Sequence, residues 1–313
     1  MTSPNYLPKA VFQIKSLALD MLPNDDDQSL DSAHKYCRSL ALRHYENFFV
    51  ASHMLPRKLK RHFFNVYAYC RWSDDLADEV DDKNLSLKLL EWWEKELQAC
   101  YKGDIRHPVF VALKETINQF EIPITPFRDL LKAFRQDQVV KRYQSYADLL
   151  EYCCYSANPV GHLVLYLCGY RDSQRQSFSD KTCTALQLCN FWQDIRLDLA
   201  KDRIYLPLED LHHYRYSEED LKAGIYNDNF KNLMMFEANR TRKLLEEGLN
   251  LSDLVNHKHK VDITLFNRFG WAILDQMEKQ NFNVLARRPK LSKIRKISIF
   301  LEYFFRIKLL HKD

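Results

Sequence analysis

The stretch Asn190-Phe191-Trp192-Gln193-Asp194-Ile195-Arg196-Leu197-Asp198 sets three polar side chains four residues apart among apolar and aromatic neighbours. On an α-helix that spacing stacks Asn190, Asp194 and Asp198 along one face, about 5–6 Å apart at Cβ. Upstream, Arg71-Trp72-Ser73-Asp74-Asp75-Leu76-Ala77-Asp78-Glu79 repeats the device with Asp74 and Asp78. Like charges one turn apart cost a helix about 0.2–0.5 kcal/mol, so each pair calls for a cation. Magnesium suits, because it takes oxygen ligands and is held by one or two carboxylates plus substrate phosphates. Two such helices facing each other would form an acidic funnel for magnesium and a diphosphate. The alternative is two solvated helical faces. The apolar and aromatic settings weigh against it, since half-buried paired acids need a reason. Asp25-Asp26-Asp27 and Asp81-Asp82 lack that setting and read as solvated runs.

Outward from these stretches the helical period continues almost everywhere. Leu85, Leu87, Leu89, Leu90, Trp92, Trp93 and Leu97 fit one helix. Pro108 and Pro126 sit where a first helical turn accepts proline. Ser217-Glu218-Glu219-Asp220 reads as a cap with an acid three residues on. Only 6 of 313 residues are glycine, about 2% against roughly 7% in average proteins. No two stand as Gly-x-Gly, which excludes a dinucleotide fingerprint and a P-loop. The shortage also argues against sandwiches and barrels. No repeat of 20–50 residues is visible. The expectation is a single all-α domain over residues 33–289, an N-terminal extension over 1–32 and a basic, aromatic tail over 290–313. Loops are expected near 23–32, 103–107, 121–126, 201–216 and 283–290.

Lys and Arg (46) minus Asp and Glu (42) leave +4, too little to suggest a nucleic-acid partner. The eight cysteines show no Cys-x-x-Cys and no zinc spacing, and Met1 to Asp31 carries no clean signal peptide. Reduced thiols in a cytoplasmic protein are the expectation. Tyr152 to Tyr170 carries no formal charge and is mostly apolar. Ser156, Asn158, Pro159, Gly161 and His162 interrupt it, so it reads as one buried helix rather than a membrane span. The tail holds seven Lys and Arg among Ile297, Ile299, Phe300, Leu301, Tyr303, Phe304 and Phe305. It is too short to span a bilayer. It suits either an anionic membrane surface or docking on the core.

Three ordered motifs resemble those of the squalene/phytoene synthase family, from about Ser39 to Phe282. Tyr67-x-x-x-Arg71-x-x-Asp74-Asp75-x-x-Asp78 resembles the first aspartate motif. Asn190-x-x-x-Asp194-x-x-x-Asp198, followed by Arg203-Ile204-Tyr205-Leu206-Pro207, resembles the second. Tyr152-Cys153-x-Tyr155-x-Ala157-x-x-Val160-Gly161 is similar to the helix lining the family's hydrocarbon tunnel. The resemblance implies a helical bundle around a central hydrophobic cavity. It implies magnesium held by Asp74, Asp78, Asn190, Asp194 and Asp198, with Arg71 and Arg203 donating to a prenyl diphosphate. Phe48, Tyr67, Tyr152 and Phe191 are candidate aromatic faces for a carbocation, a contact worth roughly 0.5–2 kcal/mol. Ala157 and Gly161 are expected to leave room for the prenyl chain. His44 is a candidate acid–base group for the attacking water, or a satisfied core histidine.

Two departures narrow the reading. Members that join two prenyl diphosphates usually carry Ser-x-Ser-Phe where this chain has Tyr45-Glu46-Asn47-Phe48, and an arginine where it has Gln193. Both changes remove groups that would hold a second diphosphate, which makes Asn47 and Gln193 candidate specificity residues. The pattern is similar to the bacterial hydroxysqualene synthase branch. That branch implies conversion of presqualene diphosphate and water to hydroxysqualene and diphosphate in squalene and hopanoid biosynthesis. Other squalene-pathway enzymes would be neighbours, and contact with the inner membrane would be peripheral. The competing readings are a condensing synthase that makes presqualene diphosphate, squalene or phytoene, and a non-catalytic assembly protein on the same fold.

Overall fold

A computed structural model describes residues 6–23, 29–43 and 57–309. Thirteen α-helices run through them: α1 Leu30–Arg43, α2 Arg57–Asp78, α3 Lys83–Lys102, α4 Pro108–Phe120, α5 Thr125–Asp137, α6 Tyr146–Ser156, α7 Asn158–Leu167, α8 Ser173–Ala200, α9 Leu208–His213, α10 Glu218–Ala223, α11 Asp228–Leu249, α12 His257–Lys279 and α13 Lys293–Leu309. Among the described residues there is no β-strand, and one isolated parallel bridge joins Arg142 to Ile204. The all-α expectation holds. The capping signals also act as read: prolines open α4 and α5, and Ser217 and Asp220 form a reciprocal capping box on α10.

Two local expectations are corrected. The expected loop at 201–216 contains α9, opened by Pro207 with Glu209 and Asp210 in its first turn. Acidic groups there favour a helix N-terminus. The single helix expected over Tyr152–Tyr170 is two helices. Ala157 ends α6 at φ −120°, and Pro159, which has no N–H to continue the ladder, lies in the first turn of α7.

The chain divides into two compact units, Met1–Val139 with His162–Tyr170, and Val140–Gly161 with Arg171–Asp313. In the first, α2 packs on α1, α3, α4 and α5. Its core is aromatic. Trp72 stacks on Trp93 at 5.1 Å between centroids, and the buried His107 meets both rings edge-on. Residues of the N-terminal extension contribute: Val11, Ile14 and Leu17 are buried, and the Leu17 carbonyl accepts from the Tyr36 hydroxyl at 2.7 Å. In the second unit, α8 packs on α6, α11 and α12. A Cβ on Gly248 of α11 would lie 2.9 Å from the Thr182 backbone nitrogen, so glycine is what lets α11 approach α8 so closely. Indole and hydroxyl groups join the same helices, with Trp192 donating to Thr241 at 3.0 Å. The C-terminal helix α13 packs on α12, where Arg268 lies over the Tyr303 ring at 4.9 Å. No described helix is long and apolar enough to cross a membrane.

Candidate active site

The first acidic stretch forms the last two turns of α2. The helix end is satisfied from outside its own ladder. Ser86 Oγ donates to the Leu76 carbonyl and Gln138 Nε2 to the Ala77 carbonyl, each at 2.9 Å. These bonds take carbonyls that a helix C-terminus leaves without partners. Trp93 Nε1 donates to Ser73 Oγ, itself bonded to the Tyr69 carbonyl, which fixes the rotation of α2 on its aromatic backing. That rotation sorts the acids. Asp75 points inward, 1% exposed, and receives Arg71 through both Nε and Nη2. Asp74, 47% exposed, lies 3.4 Å from Arg71 Nη1, and Asp78 is exposed. Tyr67, one turn before Arg71, has its hydroxyl pushed up to about 12, first by burial and with Asp74 and Asp75 adding to it. Arg71 therefore answers a buried acid, and Asp74 and Asp78 form the outward face of the pair.

The second acidic stretch lies near the end of α8. Asn190 is exposed, and Asp194 and Asp198 are half-buried. Arg288 donates to both carboxylate oxygens of Asp194, its Nη2 reaching Oδ2 at 2.8 Å. On either side of that pair, Gln193 Nε2 donates to the Pro289 carbonyl at 2.6 Å and Arg196 Nη1 to the Leu285 carbonyl at 3.1 Å. The turn after α8 folds back, with the Arg203 N–H donating to the Asp198 carbonyl at 2.8 Å. Residues 141–144 then pin the segment that follows. Ile204 N–H bonds the Lys141 carbonyl and Leu208 N–H the Tyr143 carbonyl, each at 2.9 Å, and Arg142 pairs with Asp202.

This pinning assembles an aromatic group beside Asp198. Phe191 and Tyr205 stack at 3.8 Å and 7° between planes. Tyr152 lies 6.1 Å from Phe191 and 6.0 Å from Tyr205, and Tyr143 completes the set 5.4 Å from Tyr152. Next to it opens a small cleft lined by Phe191, Ile195, Asp198, Arg203, Tyr205 and Leu221.

Gly161, read from the sequence as leaving room for a prenyl chain, lies against α8. A Cβ there would collide with the Ser179 hydroxyl and stand 2.6 Å from Cys183 Sγ, so Gly161 serves the close approach of α7 to α8. Ala157 is buried at the α6–α7 break, and Asn158 accepts from Thr184 at 2.9 Å. His44, Asn47 and Phe48 lie outside the described residues.

The family model for squalene/phytoene synthase matches residues 6–295. The chain belongs to the squalene/phytoene synthase family. A curated relative, the 15-cis-phytoene synthase of Synechocystis sp., is 30% identical over 272 residues, which cover 83% of this chain and 81% of the relative. Among solved structures, squalene synthase HpnC from Alicyclobacillus acidocaldarius is 39% identical with a TM-score of 0.78, covering 83% of this chain and 99% of that one. A dehydrosqualene synthase solved with a ligand is 26% identical with a TM-score of 0.82, covering 90% and 99%.

As in other squalene/phytoene synthases, the fold is that of isoprenoid synthases, whose members act on prenyl diphosphates and typically use divalent metal ions. Among the described residues no three His, Cys, Asp or Glu side chains converge as a preformed metal cage. The donor set still fits magnesium, which keeps waters and takes oxygens from the substrate's phosphates rather than demanding an all-protein cage. Asp194 already carries the Arg288 guanidinium across both of its oxygens, so a metal ion taking that carboxylate would compete with Arg288.

Three features of this chain were not singled out from the sequence. Asp75 rather than Asp74 is the buried acid, although the inward Trp72 and Leu76 beside it carry that signal. Tyr143 and Tyr205 join the aromatic group. Arg288 reaches Asp194 from 94 residues away, and no local pattern marks it.

Proposed function

We propose that this chain is a hydroxysqualene synthase, converting presqualene diphosphate and water to hydroxysqualene and diphosphate. The observation that carries this reading is Gln193. Where members joining two prenyl diphosphates usually hold an arginine, its buried amide donates to the Pro289 carbonyl, so the position offers no charge to a second diphosphate. The likeness at 39% identity to a structure named squalene synthase supports the squalene side of the family. In this reading Asp74, Asp78, Asn190, Asp194 and Asp198 hold magnesium. Bound magnesium supplies neutralisation of the charge growing on the departing diphosphate.

The chain's own residues do the rest. Arg71 and Arg203 donate to diphosphate oxygens, charge-assisted bonds that strengthen as the leaving group takes its electron pair. The carbon–oxygen bond to diphosphate breaks, and the carbocation rearranges beside Phe191, Tyr205, Tyr152, Tyr67 and Phe48, whose ring faces attract positive charge. Water then forms the new carbon–oxygen bond and gives up a proton, which His44 accepts. Asn47 acts with Gln193 in selecting one diphosphate rather than two.

The second reading is head-to-head condensation of two prenyl diphosphates, favoured by the curated phytoene synthase relatives. One assay separates them. Purified protein with magnesium is given presqualene diphosphate or farnesyl diphosphate, each with and without NADPH. Hydroxysqualene from presqualene diphosphate alone, independent of NADPH, is the expected result. Consumption of farnesyl diphosphate would favour condensation instead.

The proposed enzyme works at an anionic membrane surface, peripherally and from the cytoplasmic side of the inner membrane. On α13, Ile294, Ile297 and Leu301 are 80%, 48% and 43% exposed at i, i+3 and i+7, while Ile299 is buried on the opposite side. Lys293, Arg295 and Lys296 flank the stripe, and the first turn holds no acid. An apolar stripe with basic flanks suits an anionic lipid interface. Full-length protein should sediment with phosphatidylglycerol vesicles and less with phosphatidylcholine vesicles, and I294N/I297N/L301N should remain in solution. Equal sedimentation of the variant would reject the lipid reading. Dimerisation lost in the variant would assign the stripe to a second copy.

A further inference from the structure

The segment from Asn281 to Pro289 runs against α8 in a fixed register. Its start is set by Tyr226, whose hydroxyl donates to the Asn281 carbonyl at 2.7 Å, and by left-handed backbone at Asn281 and Phe282. Phe282, Val284 and Leu285 are buried. From there the contacts descend α8 as the segment advances: Leu285 with Arg196, Arg288 with Asp194, Pro289 with Gln193. Arg287, Arg288 and Lys290 are exposed, whereas Pro289 between them is buried. Proline has no N–H, so its carbonyl is the one main-chain group there that needs a partner, and Gln193 supplies it.

We infer that Gln193 is a positioning residue: with Arg196 it straps residues 285–289 along α8 and so holds the Arg288 guanidinium on Asp194 as a built-in counter-cation. The inference rests on the reading of Asp194 as a metal-holding carboxylate. A neutral amide suits the task. It satisfies the Pro289 carbonyl without adding a second positive charge beside Arg288, as a guanidinium at 193 would. Because Arg288 occupies both Asp194 oxygens, a metal ion taking that carboxylate has to displace it. The strap keeps the displaced side chain tethered one residue from Pro289.

Two readouts test this on the full-length protein, with folding of each variant checked by circular dichroism. The first is trypsin nicking after Arg287 and Lys290, the Arg288–Pro289 bond being resistant. Q193M keeps the side-chain volume and loses the donor. It should be nicked about fivefold faster than wild type, the factor that one lost buried hydrogen bond corresponds to. R196Q, at an exposed position, should accelerate nicking in the same direction. The second is Mn²⁺ binding followed by electron paramagnetic resonance, with Mn²⁺ alone as the probe. R288Q should bind Mn²⁺ several-fold more tightly, because Asp194 no longer carries a competing cation. Unchanged nicking in both Q193M and R196Q would overturn the positioning role. Unchanged Mn²⁺ affinity in R288Q, with binding still lost in D194N, would overturn the counter-cation role. Mn²⁺ binding that survives in D194N would instead remove the metal assignment of Asp194, and the nicking result would still decide the strap.

Discussion

Arg288 grips both carboxylate oxygens of Asp194 from 94 residues further along the chain. A carboxylate that sequence spacing assigns to a metal is thus already neutralised by the protein's own cation. The contact is partly exposed, and surface ion pairs are worth only about 0–1 kcal/mol. Asp194→Ala should therefore lower the unfolding free energy by about 1 kcal/mol or less while cutting turnover by about 10²–10³-fold or more. Chemical denaturation and product formation measure the two separately. Full turnover in the variant, or in EDTA with no divalent ion, would remove the metal model.

Asp74 and Asp75 are neighbours with opposite fates. Asp75→Asn takes from the half-buried Arg71 its two-pronged carboxylate partner and leaves it only Asp74 at 3.4 Å. The cost should therefore approach, without exceeding, the about 3–5 kcal/mol of a broken buried pair. Asp74→Ala, at an exposed position, should leave the melting temperature nearly unchanged and abolish turnover. If thermal unfolding ranks the two in the reverse order, the inward rotation of Asp75 is wrong.

Gly161→Ala should destabilise by about 1–3 kcal/mol, the usual cost of forcing atoms into a packed core. The added methyl meets Ser179 and Cys183. Combining it with Ser179→Gly and Cys183→Ala should recover part of that loss, with an interaction energy visible in a mutant cycle. A neutral Gly161→Ala would mean that the Ser179 hydroxyl and Cys183 thiol turn aside at no cost, so that the glycine is not needed for the packing of α7 on α8.

His107 gives a dependence on pH. Its imidazole caps α4 through Nδ1, which accepts from Val109 N–H at 3.2 Å, and burial among Trp72, Trp93 and Phe110 pushes its pKa down to about 3. The unfolded chain binds a proton at this residue below its ordinary value of about 6.5, and the folded chain does not until about pH 3. Stability from this group is therefore complete above pH 6.5 and falls as pH drops toward 3. The slope approaches about 1.4 kcal/mol per pH unit for one proton. His107→Asn keeps a capping acceptor and removes the titration. Urea unfolding between pH 6.5 and 5 should show a flatter dependence in the variant than in wild type, and equal slopes would rule out a neutral buried imidazole.

Much of this is legible in the chain itself. Helical periodicity, few glycines, prolines at first turns and the Ser217 capping box act through contacts within four residues, so local sequence carries them. The same holds for the spacing that puts Asp74 with Asp78 and Asp194 with Asp198 on one helical face each. The ordered motifs that mark the family were also visible in the chain.

What only the tertiary structure decided is which way each of those faces turns and what meets it. The rotation of α2 is set by the indole of Trp93 on Ser73, and it buries Asp75 while leaving Asp74 outside. Gly161 packs against α8 because α7 begins a new helix beyond Ala157. Arg288 and Pro289 reach α8 through a segment whose course depends on Tyr226 and the buried Phe282 and Leu285. Such contacts join residues tens of positions apart through packing, which has no period along the chain. Sequence therefore determined the helices and the acidic faces on them, and long-range packing determined the partners of those faces.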